Sequence, residues 1–142
     1  MKLVKHLLDS KGHDVISVAP DSSVFDAIKL MADRLVGSLL VMNDEELRGI
    51  VTERDYARKV IIKGRSSETT SVSEIMSTEV LTTSSSQTVN QCMELMTERR
   101  IRHLPVVEDD RVIGMISIGD LVQAIIADQQ EEIEQLESYI SG

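Results

Sequence analysis

The sequence predicts an α/β (α+β) fold made of tandem β-α-β-β-α repeats packed about a pseudo-twofold axis. Three observations lead there. A shift of 65 residues aligns the two halves without a gap over about 45 positions, the mark of an internal duplication. Within each half, short β-rich stretches alternate with segments whose apolar residues recur at three and four, the helical spacing. A half of about 60 residues also excludes only a modest fraction of its surface from water, so the two must pack together to bury both faces of a sheet. The register is carried by Val15 and Val80, Val24 and Val89, Met31 and Met96, Leu39 and Leu104, Val41 and Val106, Gly49 and Gly114, Thr52 and Ser117, and Asp55 and Asp120.

A short apolar helix, Val4-Lys5-His6-Leu7-Leu8, opens the chain, and Val72-Ser73-Glu74-Ile75-Met76 opens the second half in the same way. A first strand follows in each copy, Val15 to Val18 and Val80 to Thr83. Polar turns come next, Pro20-Asp21-Ser22-Ser23 and Ser84-Ser85-Ser86-Gln87, with residues suited to capping. Val24, Ala27, Ile28 and Met31 then mark a helix, as do Val89, Cys92, Met93 and Met96. Strands from Ser38 to Met42 and Gly49 to Val51, and from His103 to Val107 and Val112 to Ile116, are joined by acidic turns and form hairpins. A second helix closes each copy, from about Arg54 to Ile62 and from Asp120 to Ile126. The resulting bounds are 1–62 for the first repeat with its N-terminal helix, 63–71 for a polar linker, 72–127 for the second repeat and 128–142 for a C-terminal helical extension.

Composition removes several functions. A net charge of −9, with one Phe, two Tyr and no Trp, disfavours nucleic acid, which demands cations and stacking faces. No run approaches the roughly 18 apolar residues of a spanning helix, and the N-terminus lacks a signal-peptide core, so the expectation is a soluble cytoplasmic protein without a membrane partner. One cysteine, Cys92, among Val89, Met93 and Met96, excludes an internal disulfide and reads as a buried structural thiol. Six of the fifteen basic residues fall between Arg48 and Arg65 and four between Arg99 and Arg111, both near the recurring motif, which favours a small anion there.

That motif is Gly49-Ile50-Val51-Thr52-Glu53-Arg54-Asp55 and Gly114-Met115-Ile116-Ser117-Ile118-Gly119-Asp120, at the passage from the last strand into the last helix. A hydroxyl and a carboxylate at such a junction cap unpaired N–H groups, and the positive end of the helix dipole suits a phosphate. An ionised Asp accepts at two oxygens, which suits the paired hydroxyls of a ribose. Thr52 and Ser117 as plain N-caps, with Asp55 and Asp120 as early-turn acids, is the bland alternative; recurrence at an interval of 65 weighs towards a ligand.

With these segments, with Arg102-His103-Leu104-Pro105-Val106-Val107, with Thr52-Glu53-Arg54-Asp55-Tyr56 and with the Lys63-Gly64-Arg65-Ser66-Ser67 linker, the chain resembles the cystathionine-β-synthase (CBS) domain family. The likeness is to stand-alone CBS pairs, or Bateman modules. The resemblance implies clefts between two repeats that hold AMP in first place, with ATP, ADP, NAD(H) or S-adenosylmethionine as alternatives. It implies the ribose on Asp55 or Asp120 with Thr52 or Ser117 alongside, and adenine near Val15, Ile16, Val80 and Leu81. It also implies phosphate contacts crossing between repeats, Arg54 towards the cleft of Asp120 and Arg102 and His103 towards that of Asp55. Arg54 is matched by Gly119, and Arg102-His103 by Gly37-Ser38, so the clefts are expected to differ. His6 and His13 read as incidental.

Catalysis is not expected, since no Cys/His cluster has metal-ligand spacing and no GxSxG, HExxH, GxxxxGK or GxGxxG pattern occurs. Function would come from coupling: a non-catalytic module reporting energy or redox state to a regulated protein in trans. The alternative is an interaction or dimerisation module without a physiological nucleotide. Ile126, Ile133, Leu136 and Ile140 form one stripe of the extension, with Glu131, Glu132, Glu134 and Glu137 elsewhere. The stripe either folds back on its own chain or packs across a homodimer, and the family resemblance favours the dimer.

Overall fold

The computed structural model describes residues 2–141. In chain order its elements are α1 (Val4–Lys11), β1 (Ser17–Val18), α2 (Val24–Arg34), β2 (Ser38–Asn43), β3 (Glu46–Thr52), α3 (Glu53–Tyr56), α4 (Val89–Arg99), β4 (His103–Glu108), β5 (Arg111–Ser117) and α5 (Ile118–Ser141). A π-helical turn, Ala57–Ile61, prolongs α3, and a 3₁₀ turn covers Val72–Glu74. The chain divides into two compact units. One is Val15–Val80; the other joins the segment up to Asp14 to everything from Leu81.

In the Val15–Val80 unit, β1 pairs parallel with β2 and β2 antiparallel with β3. Val24, Ala27 and Met31, three residues on one stripe of α2, are fully buried against Leu39 and Val41 of β2 and Val51 of β3. In the other unit Val89, Cys92 and Met96 of α4 do the same against Leu104, Val106 and Ile116. The helices start where their caps require. Ser23 accepts from the Asp26 N–H, and Thr88 exchanges bonds with Gln91 in a capping box.

The duplication holds down to backbone irregularities. The residue after each long amphipathic helix, Leu35 or Arg100, is left-handed at φ 55° or 56°. Each hairpin carries a register shift at the same place, between Val41 and Met42 and between Val106 and Val107. At a two-residue connection between Glu108 and Arg111, Asp109 and Asp110 both take positive φ, as such tight hairpin turns need.

Several expectations are revised. The opening helix expected from Val72 to Met76 is only the 3₁₀ turn Val72–Glu74, and the first strand, expected from Val15, is Ser17–Val18. The strand expected from Val80 to Thr83 contracts to a single bridge, Thr83 with Val106, matching Val18 with Val41 in the first copy. The cause is one residue. Leu40 donates its N–H to the Ile16 carbonyl, whereas the equivalent position in the second copy is Pro105, which has no N–H to give Leu81. The helix expected from Arg54 to Ile62 is α-helical only to Tyr56; a π turn follows, with Val60 buried and Ile61 and Ile62 facing outward. Finally, the 128–142 extension is no separate element. α5 runs unbroken to Ser141, and Ile133, Leu136 and Ile140 are exposed, so the stripe does not fold back on its own unit.

The sequence repeats and the compact units are offset by one short segment. α1 precedes the first copy in sequence, yet Val4 and Leu8 lie in the core with α4 and β5. Val72 and Ile75, which open the second copy in sequence, are in the core with α2 and β2.

Candidate functional site

The two motif segments adopt one geometry. The first N–H of each helix reaches back to the preceding loop, Glu53 to the Gly37 carbonyl (3.0 Å) and Ile118 to that of Arg102 (2.9 Å). Thr52 Oγ1 accepts from the Asp55 N–H (3.1 Å), and Asp55 Oδ2 accepts from both the N–H and the hydroxyl of Thr52 (3.0 Å each). Ser117 Oγ accepts from the Asp120 N–H (3.1 Å), and Asp120 Oδ2 from the Ser117 N–H (2.8 Å). The hydroxyl and the acid thus cap the helix reciprocally, which locks the carboxylate's direction. The bland cap reading is therefore correct as far as it goes. It fixes each acid without saying what else that acid accepts.

Each carboxylate also holds a lysine. Lys59, one turn along from Asp55, lies 3.1 Å from Oδ1 and donates to the Ile75 carbonyl (2.8 Å). Lys11, from the last turn of α1, donates to Asp120 Oδ2 (2.6 Å) and to the Met115 carbonyl (2.7 Å). Sequence reasoning missed both. Lys59 was legible as an i,i+4 partner. Lys11 was not, because 109 residues separate it from its acid.

The motif glycines have a packing reason. A Cβ on Gly49 would stand 2.6 Å from the Ser77 carbonyl oxygen and 2.9 Å from Met76 Sδ; one on Gly114 would stand 2.6 Å from Leu8 Cδ2. In both units the opening segment of a repeat crosses the last strand at the motif glycine, and only a residue without a side chain admits it.

Burial pushes Asp120 up, but the Lys11 hydrogen bond, the Ser117 N–H, the Lys11 charge and the Ser117 hydroxyl together outweigh it and hold the carboxyl below its ordinary value. A carboxyl depressed in the folded state contributes stability above its unfolded pKa of about 4, and that contribution is lost as pH falls through the folded value. The stability difference between the wild type and Asp120→Asn is therefore expected to be constant above about pH 5 and to shrink towards zero in stronger acid. Urea titrations at a series of pH values read it, and a pH-independent difference would refute it.

Of the expected phosphate residues, Arg54 is exposed in the first turn of α3 and Arg102 is exposed just before β4. His103 pairs across β4–β5 with Ser117, in the place Ser38 takes beside Thr52. It is half-buried, and burial, helped by the Lys11 charge and opposed by Asp120, pushes its imidazole below the usual value, which favours the neutral form. Arg102 and His103 thus belong to the unit of Asp120, and Arg54 to that of Asp55. Val15 and Ile16 lead into β1, with Ile16 packed on its unit's core; Leu81 packs on the core of the other unit, and Val80 is half-buried. The two histidines read as incidental have partners, His6 Nδ1 accepting from the Leu3 N–H and His13 Nδ1 donating to the Ile113 carbonyl. Cys92 is buried 3.3 Å from Thr83 Oγ1, and burial raises its pKa, as for an inert thiol.

The profile of the CBS domain matches residues 4–62 and again 72–127. The chain belongs to the CBS-domain family. A mitochondrial CBS domain-containing protein of Arabidopsis thaliana is 46% identical over 127 residues, which is 86% of this chain and 62% of that protein's length. A solved structure of a protein with CBS domains from Burkholderia ambifaria is 50% identical, with a TM-score of 0.84 over 90% of this chain and 96% of the other. A CBS domain pair solved in complex with 5′-methylthioadenosine and S-adenosyl-L-methionine is 25% identical, with a TM-score of 0.77 over 90% of this chain and 98% of that one. The 65-residue repeat of the present chain is thus a tandem CBS pair. Among the described residues no helix is long and apolar enough to cross a membrane, and no group of His, Cys, Asp and Glu is placed to hold a metal ion.

Proposed function

We propose that this CBS pair is a non-catalytic regulatory module that binds adenine ribonucleotides, Asp55 and Asp120 each accepting from a ribose diol with Thr52 and Ser117 beside them. The observation that carries this reading is the pair of pre-oriented carboxylates, each fixed by a reciprocal hydroxyl bond at the same place in its unit. The related pair bound to methylthioadenosine and S-adenosylmethionine supports it, since both compounds contain an adenosine moiety. AMP is the first candidate, then ATP, NAD(H) and S-adenosylmethionine. Arg54, Arg102 and His103 are the proposed phosphate contacts, and Val15, Ile16, Val80 and Leu81 the proposed adenine surroundings. The bound state would report energy or redox level to a regulated protein in trans.

Thermal unfolding tests the reading. A true ligand at 100 times its dissociation constant stabilises by about 2.7 kcal/mol. That increment is expected to be reduced in Asp55→Asn and in Asp120→Asn and abolished in the double variant. Equal increments in all four proteins would sink the assignment of the acids.

A second reading is an interaction or homodimerisation module, favoured by one observation. The last part of α5 is exposed on every side and still carries the apolar stripe Ile126, Ile133, Leu136 and Ile140. The two readings are compatible if nucleotide controls assembly.

A further inference from the structure

We propose that Lys11 is a latch that closes the last turn of α1 onto Asp120, and that a vicinal diol taking this carboxylate releases it. The release step rests on reading Asp120 as a ribose acceptor; the latch does not.

The two units secure their opening segments differently. In the Val15–Val80 unit the Ile50 carbonyl accepts the backbone N–H of Ser77 (2.9 Å), and Ser77 accepts in turn from Ile50 (3.0 Å), so the segment is joined by a backbone ladder. Lys59, the partner of Asp55, comes from the motif's own helix. In the other unit the position equivalent to Ile50 is Met115, and its carbonyl takes the Lys11 ammonium. The one cation that satisfies this strand carbonyl also satisfies the ribose acid. Just beyond it, Gly12 is the joint that ends α1, at φ 101°, a conformation that favours glycine, with nothing near its missing Cβ. His13 then donates to the next outward carbonyl, that of Ile113 (2.8 Å).

Lys11 is well placed to let go. Its side chain is 34% exposed, so the ammonium returns to water at little cost when the carboxylate finds other donors. An ionised Asp only accepts, and two ribose hydroxyls supply the donors that replace Lys11. Val4 and Leu8 keep the start of α1 buried, so release is confined to the last turn and the joint after it.

The test is amide hydrogen exchange on the full chain, freed of nucleotide, followed from Leu8 to Gly12, where the Gly12 N–H donates to the Leu8 carbonyl (2.8 Å). Lys11→Met and Asp120→Asn are each expected to speed this exchange several-fold, and the double variant no further. Adenosine, a diol without phosphate, is expected to speed it in the wild type, whereas 2′-deoxyadenosine is not. Adenosine should also bind Lys11→Met about two- to fivefold more tightly than wild type, the yield of removing a partly exposed ion pair. Unchanged exchange in the single variants, or additive effects in the double, would overturn the latch. Adenosine bound with α1 exchange unchanged would overturn its release. Adenosine binding to neither protein would overturn release by a diol alone and leave the nucleotide reading to the thermal-unfolding test, while the variant comparison still decides the latch.

Discussion

Leu8→Ala is expected to destabilise the protein by about 2–5 kcal/mol, the range for deleting a buried leucine side chain. Leu8 is 1% exposed and, with Val4, anchors α1 in the core formed by α4, β4, β5 and α5. The loss therefore removes core packing and one of the apolar anchors of a helix of 8 residues, which has little stability of its own. Urea denaturation gives the number. A second substitution sharpens the result, because a Cβ added at Gly114 points at Leu8 Cδ2 from 2.6 Å. Gly114→Ala overpacks the wild type but fills part of the cavity left by Leu8→Ala, so the double variant is expected to be more stable than the two single losses sum to. Strict additivity would contradict the packing described here.

Gly49→Ala is expected to cost about 1–3 kcal/mol or more, and more than Gly114→Ala. The difference lies in what must yield. At Gly114 the obstacle is the end of a leucine side chain; at Gly49 it is the Ser77 carbonyl oxygen, which accepts from the Ile50 N–H. A methyl at Gly49 either breaks that bond or displaces the segment from Val72 to Ser77, which carries Val72 and Ile75 of the core. Equal losses at the two glycines would mean that the crossing segments adjust equally well.

Much of this was legible in the sequence because duplication repeats its signals. The spacing of Val24, Ala27 and Met31, matched by Val89, Cys92 and Met96, marked both amphipathic helices, and the hydroxyl three residues before Asp marked both caps. What was not legible depends on residues distant in sequence. That Pro105 dissolves the strand at Leu81 follows only once β4 is known to need a donor there. That α1 packs with the second copy requires knowing which glycine it crosses. Lys11 has no local signal at all, and nothing in the local spacing marks the π turn at Ala57–Ile61, in which Val60 is buried. The asymmetry between Arg102-His103 and Gly37-Ser38 was visible, but its consequence, a half-buried imidazole paired with Ser117 and in the field of Lys11, was not.

Calorimetric titration of the nucleotide-free protein with AMP, ATP, NADH and S-adenosylmethionine, alongside Asp55→Asn and Asp120→Asn, bears most directly on the assignment of the two acids. The expected result is saturable heat from at least one of the four, with a binding event lost in one or both single variants and none left in the double. Saturable binding that survives in the double variant, or no heat from any of the four with any protein, would contradict it.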